Sequence, residues 1–258
     1  LVIKPDTKVV YFFIKNNADK KEAFRLGWKH LAMDKEGNVL NLDKIGMEKA
    51  PAGYKAADKL IRFSPRRVVL EPGQTQRVTM MVRRSNTLEP GEYRSHFLIE
   101  REPRVKENKS SEEQDKAGNI AEEPDSPVVS VDVLVSRAVP VYVLQGETNA
   151  KLDVVSASVK KNSEKKKSYQ PNYLAHFKVQ KTGNRSVIGV AQVFCKSGGE
   201  EVLISKPSKL FAVYAEGEYR NEKMAVQIPA KGCSSYRLVI KGHTDDVLAG
   251  QTLADFPF

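Results

Sequence analysis

The stretch LEPGEYRSHFLIE, residues 88–100, sets an arginine and a histidine, Arg94 and His96, two positions apart in a segment that alternates like a β-strand. In a strand that spacing puts both on one face. Tyr93, Ser95, Phe97 and Ile99 take the other face. Arginine offers a planar fork of donors that fits a carboxylate, and a histidine one pleat along adds another. The pair reads either as an anion-binding face or as the solvent side of an antiparallel sheet.

The two cysteines, Cys195 and Cys233, end the segment VIGVAQVFC and precede the segment SYRLVI. Ends and starts of adjacent antiparallel strands share an edge, so a disulfide fits; two buried thiols are the other reading. His30, His96, His176 and His243 are far apart and have no ligand spacing to cysteine or carboxylate, so no metal is expected. The chain lacks a GxSxG elbow, a Walker loop and a dinucleotide-binding fingerprint. Asp245–Asp246 sits near glycine, where turn formation accounts for it. Neither a cofactor nor enzyme activity is expected.

The elements that position these residues read as strands. VVYFFIKNN, RVVLEPGQTQRVTMMVRR, AHFKVQKTG, VIGVAQVFCK and SYRLVIKG are short, β-branched or aromatic, and punctuated by Gly, Pro, Asn and Asp. FRLGWKHLAM reads as one more strand, with Trp28 in the core. Only GYKAADKLI, residues 53–61, has a faint helical pattern. Ten or more such strands predict an all-β chain of sandwiches. At 258 residues two sandwiches of about 100 residues each fit. The expected division is 1–145 and 146–258, with QGETNA at 145–150 as the junction. Residues 101–127 are charged, proline-bounded and poor in large apolar residues, so a mobile loop is expected there. No apolar run is long enough to span a bilayer, so no membrane insertion is expected. The N-terminal LVIKPD lacks the features of a signal peptide, which leaves the compartment open.

A net charge of +10 suggests acidic partners, but the cations are scattered. The densest run, KKNSEKKKS at 160–168, has no interleaved aromatics. It reads as a solvated hairpin tip in preference to a nucleic-acid patch.

VVSVDVLVSRAVPVYV, residues 128–143, is the most informative stretch. One face carries Val129, Val131, Val133, Val135, Arg137, Val139, Val141 and Val143. Sixteen residues at ~3.3 Å each give a strand more than ~50 Å long, against a usual ~17–20 Å. The plain reading is a core strand that crosses between sandwiches, with Pro140 near an edge or a kink. The sharper one is an edge strand whose first four valines complete another chain's fold, as in donor-strand complementation. Burying them would be worth ~6–12 kcal/mol as an upper bound, comparable to the ~5–15 kcal/mol stability of a whole domain.

Taken in order, VVYFFIKNNADKKEAFRLGWKHLAM, IRFSPRRVVLEPGQTQRVTMMVRR, LEPGEYRSHFLI, SRAVPVYV, HFKVQKTGNRSVIG and LFAVYAEGEYRNEKMAVQIP resemble the periplasmic chaperones of the chaperone–usher pathway, which assemble pili and fimbriae. SPRRVVLEPGQTQRV and YRSHFL are closest in type to the archaic or alternative branch. The resemblance implies two immunoglobulin-like β-sandwich domains in a boomerang arrangement, a periplasmic location and no catalysis. It implies binding of incomplete pilin or fimbrial subunits, donation of the missing strand by Val129, Val131, Val133 and Val135, and delivery to an outer-membrane usher. Self-association of the free protein through its uncovered edge is a further expectation. The best-known branch holds a subunit's C-terminal carboxylate with a basic residue on the first strand and a lysine on the last. LVIKPDTKVV is too short for that first strand, so Arg94, His96 and Arg137 become the anchor candidates. In an oxidising periplasm the Cys195–Cys233 bridge would form. The rival readings are a structural or adhesive two-domain β-sandwich of the cell surface and a basic scaffold for nucleic acid or anionic lipid.

Overall fold

The computed structural model describes residues 1–34, 38–85, 87–103, 136–164, 167–244 and 246–258. Period-two alternation decides most of its elements. TQRVTMMV buries Val78, Met80 and Val82 on one face, and VIGVAQVFC buries Val187, Gly189, Ala191, Val193 and Cys195.

Among the described residues ten strands precede residue 146: β1 (Val2–Ile3), β2 (Val9–Lys15), β3 (Glu22–Lys29), β4 (Leu31–Met33), β5 (Val39–Asn41), β6 (Ile61–Ser64), β7 (Arg67–Leu70), β8 (Thr75–Val82), β9 (Gly91–Arg101) and β10 (Ser136–Gln145). One sheet has the order β1-β10-β9-β3-β7 and faces a second of order β2-β8-β6; β4 and β5 form a small hairpin. Between the two large sheets lies a core that includes Leu26, Phe63, Val78, Phe97, Val141 and Val143. Trp28 packs against it, edge-to-face on Phe63 and Phe97 at centroid distances of 5.8 and 5.4 Å. Each such pair adds about 0.5–1.5 kcal/mol beyond area burial. The strands change sheets through defined turns. In Glu71–Gln74 the Gln74 N–H donates to Glu71 O at 3.0 Å, and Gly73 takes φ 75° behind Pro72, the geometry of a type II turn.

Eight strands follow: β11 (Ala150–Lys161), β12 (Tyr173–Gly183), β13 (Val187–Ser197), β14 (Glu200–Leu203), β15 (Lys209–Val213), β16 (Tyr219–Val226), β17 (Ser235–Gly242) and β18 (Thr252–Pro257). The sheet β11-β12-β16 faces the sheet β14-β13-β17-β18, with β15 also on β13. They enclose a second core around Phe177, Val193, Phe211 and Leu238. Neither core takes a buried residue from 145–149, the stretch that joins β10 to β11. KKNSEKKKS falls at the connection of the antiparallel pair β11 and β12.

Two local expectations change. FRLGWKHLAM is split at His30, whose N–H donates to Asp43 Oδ2 at 3.0 Å while its ring Nδ1 lies 2.7 Å from Asp43 Oδ1. GYKAADKLI forms only a 3-10 turn, Asp58–Leu60, before β6, and the single α-helical turn described lies at Leu42–Ile45. A turn of four residues is too short to leave a periodic signal.

Cys195 and Cys233 are bridged, with an S–S distance of 2.04 Å and a Cα–Cα distance of 5.6 Å. Because the bridge closes a span of 38 residues, replacing both cysteines by alanine should cost about 2–4 kcal/mol. Thermal unfolding is the check, and an unchanged midpoint would contradict it.

Candidate functional site

The last strand of the first sandwich is bonded unequally on its two flanks. Toward β9 it is paired along its whole length, from Ser136 opposite Glu100 to Gln145 opposite Gly91. On the other flank β1 runs parallel to it and reaches only Tyr142 and Val143. Tyr142 N–H donates to Leu1 O, and the Leu1 amino group donates to Pro140 O, each at 2.9 Å. Even-numbered residues of β10 therefore turn their backbone groups toward this flank. Pro140 is one of them, so its missing N–H takes no bond from the β9 ladder. Among the described residues, no strand pairs with Ser136 or Ala138 on this side.

Side chains on the odd-numbered face emerge from the core as β10 is followed backwards. Val143 and Val141 are buried, Val139 is half-buried and Arg137 is exposed. Arg137 and Val139 border a cleft of about 470 Å³ that opens between β10 and β2, lined also by Phe12, Ile14, Phe24 and Ile99. Arg101, at the same cleft, is engaged with Glu22 through two nitrogens. Arg137 has no ion partner among the described residues. The cleft thus combines apolar side chains with the polar Asn16, Asn17 and Lys15 and the guanidinium of Arg137.

The expectation that Arg94 and His96 offer donors to a carboxylate meets buried side chains. They do share a face, but both are buried, because loop residues and the second sandwich cover that face. Arg94 and Glu216 are each 2% exposed and form a two-point ion pair, Nη2–Oε1 at 2.6 Å and Nη1–Oε2 at 3.2 Å. Arg94 Nη2 also donates to Leu31 O at 3.1 Å, and the guanidinium stacks 3.6 Å over the Tyr214 ring. Burial disfavours its charge, but the Glu216 carboxylate outweighs that and holds the arginine above its usual pKa. One pleat on, His96 has no partner at Nδ1. Burial first, then the charges of Arg94, His30 and Lys29, push it down to about 4. Its ring is neutral at neutral pH and is no cation.

Glu92, next on the same face, completes the contact between the sandwiches. It accepts the Ser186 N–H at 2.7 Å and the Ser186 hydroxyl, while its own N–H donates to Asn184 O at 3.0 Å. Burial raises its pKa despite those donors. Beside it, Arg185 pairs with Asp246 at 3.2 Å, both buried. Sequence reasoning singled out none of Glu216, Tyr214 and Glu92, although Glu92 shares the even-numbered face with Arg94 and His96.

Val129, Val131, Val133 and Val135 lie outside the described residues, as do residues 104–127 of the expected loop. No group of three or more His, Cys, Asp and Glu side chains that could hold a metal occurs among the described residues. No helix described is long and apolar enough to cross a membrane.

No family model matches the chain, and no curated protein matches it. Among solved structures it is similar to the YadV chaperone, with a TM-score of 0.48 and 11% identity over 100% of this chain and 96% of that one. It is similar to the class 5 fimbriae chaperone CfaA, with a TM-score of 0.46 and 12% identity over 100% and 94%. A third likeness is to the CsuC–CsuE chaperone–tip adhesion subunit pre-assembly complex from archaic chaperone-usher Csu pili of Acinetobacter baumannii, with a TM-score of 0.46 and 9% identity over 99% and 93%.

Proposed function

We propose that the chain is a non-enzymatic assembly chaperone of the periplasm, which holds incomplete pilin or fimbrial subunits by lending them a strand and passes them to an outer-membrane usher. The observation that carries this reading is the unequal bonding of β10. It is fully paired to β9, whereas among the described residues no strand pairs with Ser136 or Ala138 on its other flank. Its odd-numbered side chains pass from buried at Val143 to exposed at Arg137, and Val135, Val133, Val131 and Val129 continue the odd-numbered series in the sequence. A strand anchored at one end and uncovered at the other can be added to another sheet without unfolding its own. Such an edge is normally blunted. The unit doing this is taken as residues 1–145, with 146–258 as the second unit. Arg137 takes the role of carboxylate anchor. It is the one candidate of the three with an exposed guanidinium, and it stands two residues from the valine series.

Co-expression with candidate pilins tests the reading. Val131→Asp and Val133→Asp should each abolish co-purification of subunit while leaving the chaperone's own unfolding midpoint unchanged. Arg137→Ala should reduce capture, and a subunit amidated or extended at its C-terminus should no longer distinguish Arg137→Ala from wild type. Undiminished recovery with both aspartate variants would refute the donor assignment. Ligand binding or self-association with no subunit retained would favour a surface adhesin.

A further inference from the structure

We infer that the outer face of the sheet β11-β12-β16, at its end away from the first sandwich, is a peripheral docking surface for an anionic phospholipid bilayer. The pairing register assembles it. His176 lies opposite Ser158 on one side and Lys223 on the other, Lys178 lies between Ser156 and Asn221, and Lys160 and Ala225 flank Leu174. These residues point outward, because their neighbours Val159, Ala175, Phe177 and Met224 pack in the second core. At ~4.8 Å between strands and ~3.3 Å per residue, the row Lys160, Lys223, Lys178 has steps of roughly 8–12 Å. That is about one Debye length at ordinary salt, so the three charges act together. None of them has an ion-pair partner among the described residues. Lys178 lies 4.5 Å over the Tyr219 ring, a contact that adds no anion. The carboxylates near this face stand at its other end, toward the first sandwich. There Asp153 pairs with Lys151 at 2.9 Å, and Glu218 accepts from Gln180 at 3.0 Å.

In the sequence KKNSEKKKS reads as a solvated tip, but the fold joins it to this face. Lys160 opens the run, the run leads into the connection of the same strand pair, and Glu164 is its single carboxylate. Tyr169, in that connection, is 78% exposed, with Lys167 Nζ 5.6 Å from its ring centroid. A tyrosine beside clustered lysines is the combination that settles at the headgroup level of a bilayer. Other occupants fit less well. A protein partner is held by an apolar anchor at the centre of its contact. Here the centre is lysine, imidazole and hydroxyl, and the one large aliphatic group, Leu174, is half-buried. A single small anion calls for donors that converge, whereas these lysines are spread along a row. A second copy of this face would set lysine against lysine. A flat surface of negative charge meets all three lysines at once.

Co-sedimentation of the full chain with vesicles tests this. The anionic vesicles hold equal parts phosphatidylglycerol and phosphatidylethanolamine, and phosphatidylcholine vesicles are the neutral counterpart. Retention on the anionic vesicles is expected at about 0.1 M salt and should be lost at about 1 M, as the Debye length shortens from about 10 to about 3 Å. Each lysine removed should weaken partitioning about fivefold, and Lys160→Ala, Lys178→Ala and Lys223→Ala together by roughly a hundredfold. Lys196→Ala, Lys231→Ala and Lys241→Ala together remove the same charge from exposed positions elsewhere in the second sandwich and should leave most of the partitioning intact. Tyr169→Ala should lower it without altering the salt dependence. Val131→Asp should leave it unchanged, which separates this face from the donor strand. Equal losses in the two triple variants would show only the general attraction of a net charge of +10 and overturn the inference. Equal retention on phosphatidylcholine, no retention on either vesicle, or tighter binding of duplex DNA or polyglutamate would overturn it as well.

Discussion

Arg94→Ala is expected to destabilise the folded chain by about 3–5 kcal/mol, the usual cost of breaking a buried ion pair from one side. The loss comes from what remains. Glu216, 2% exposed, would be left buried without the guanidinium that now meets both of its oxygens. The Met33 N–H at 3.3 Å would be its surviving donor in the contact. Glu216→Gln leaves the complementary defect, an arginine buried without its anion. Replacing both by apolar residues of similar size should recover most of the loss, because such pairs contribute little net stability over a well-packed apolar contact. Urea unfolding of both single variants and the double variant closes the cycle, followed by probes in each sandwich. Arg94→Ala should also uncouple the two transitions, since the pair spans the contact between the cores. A loss under about 1 kcal/mol would mean that the pair behaves as if solvent-exposed. Any fall in subunit capture by Arg94→Ala then follows from this loss of rigidity, whereas Arg137→Ala should lower capture with stability intact.

Acid should act through the neighbouring residue. His96 has a folded-state pKa of about 4, below its ordinary 6.5, because burial and nearby cations oppose its charge. Above pH 6.5 the ring is neutral whether the chain is folded or not, and it contributes no pH dependence. Between 6.5 and about 4 only the unfolded chain takes up the proton, so stability falls as the pH falls. Below about 4 both states are charged and the loss is complete. The window is about 2.5 units wide, which sets the loss at roughly 3 kcal/mol. His96→Gln should flatten this part of the stability–pH curve, leaving the slope that the carboxylates impose. In NMR the His96 ring protons should titrate near 4, and a titration near 6.5 would show the ring to be solvated. Arg94→Ala should raise the His96 pKa by removing the second-largest cause of its depression, which couples the two experiments.

The strands were legible because alternation survives in the sequence. In GEYRSHFLIE the separation of Tyr93, Ser95 and Phe97 from Arg94 and His96 holds in space, and Ser95 uses its buried hydroxyl to accept the N–H groups of Ala57 and Asp58. The cysteine pair was legible from its place at strand ends. What covers the Arg94 face was not. Glu216 is 122 residues away, and a carboxylate beside glycine looks the same whether it turns in solvent or closes a buried contact. The outer face of β2 was hidden for a different reason. VVYFFIK is apolar on both faces, so no periodicity tells Phe12 and Ile14, which meet the core, from Tyr11 and Phe13, which meet water.

The long ladder between β9 and β10 also sets a phase. Ten consecutive pairings fix which residues of β10 point inward. On the proposed reading, a client strand that docks on a continuation of β10 would inherit the alignment without having to establish it. The first sandwich would then serve, on that reading, as a ruler for its guest: one inserted residue beside Ser136 should invert the parity of the proposed donor valines relative to the ladder and abolish subunit capture, while leaving the ladder itself untouched.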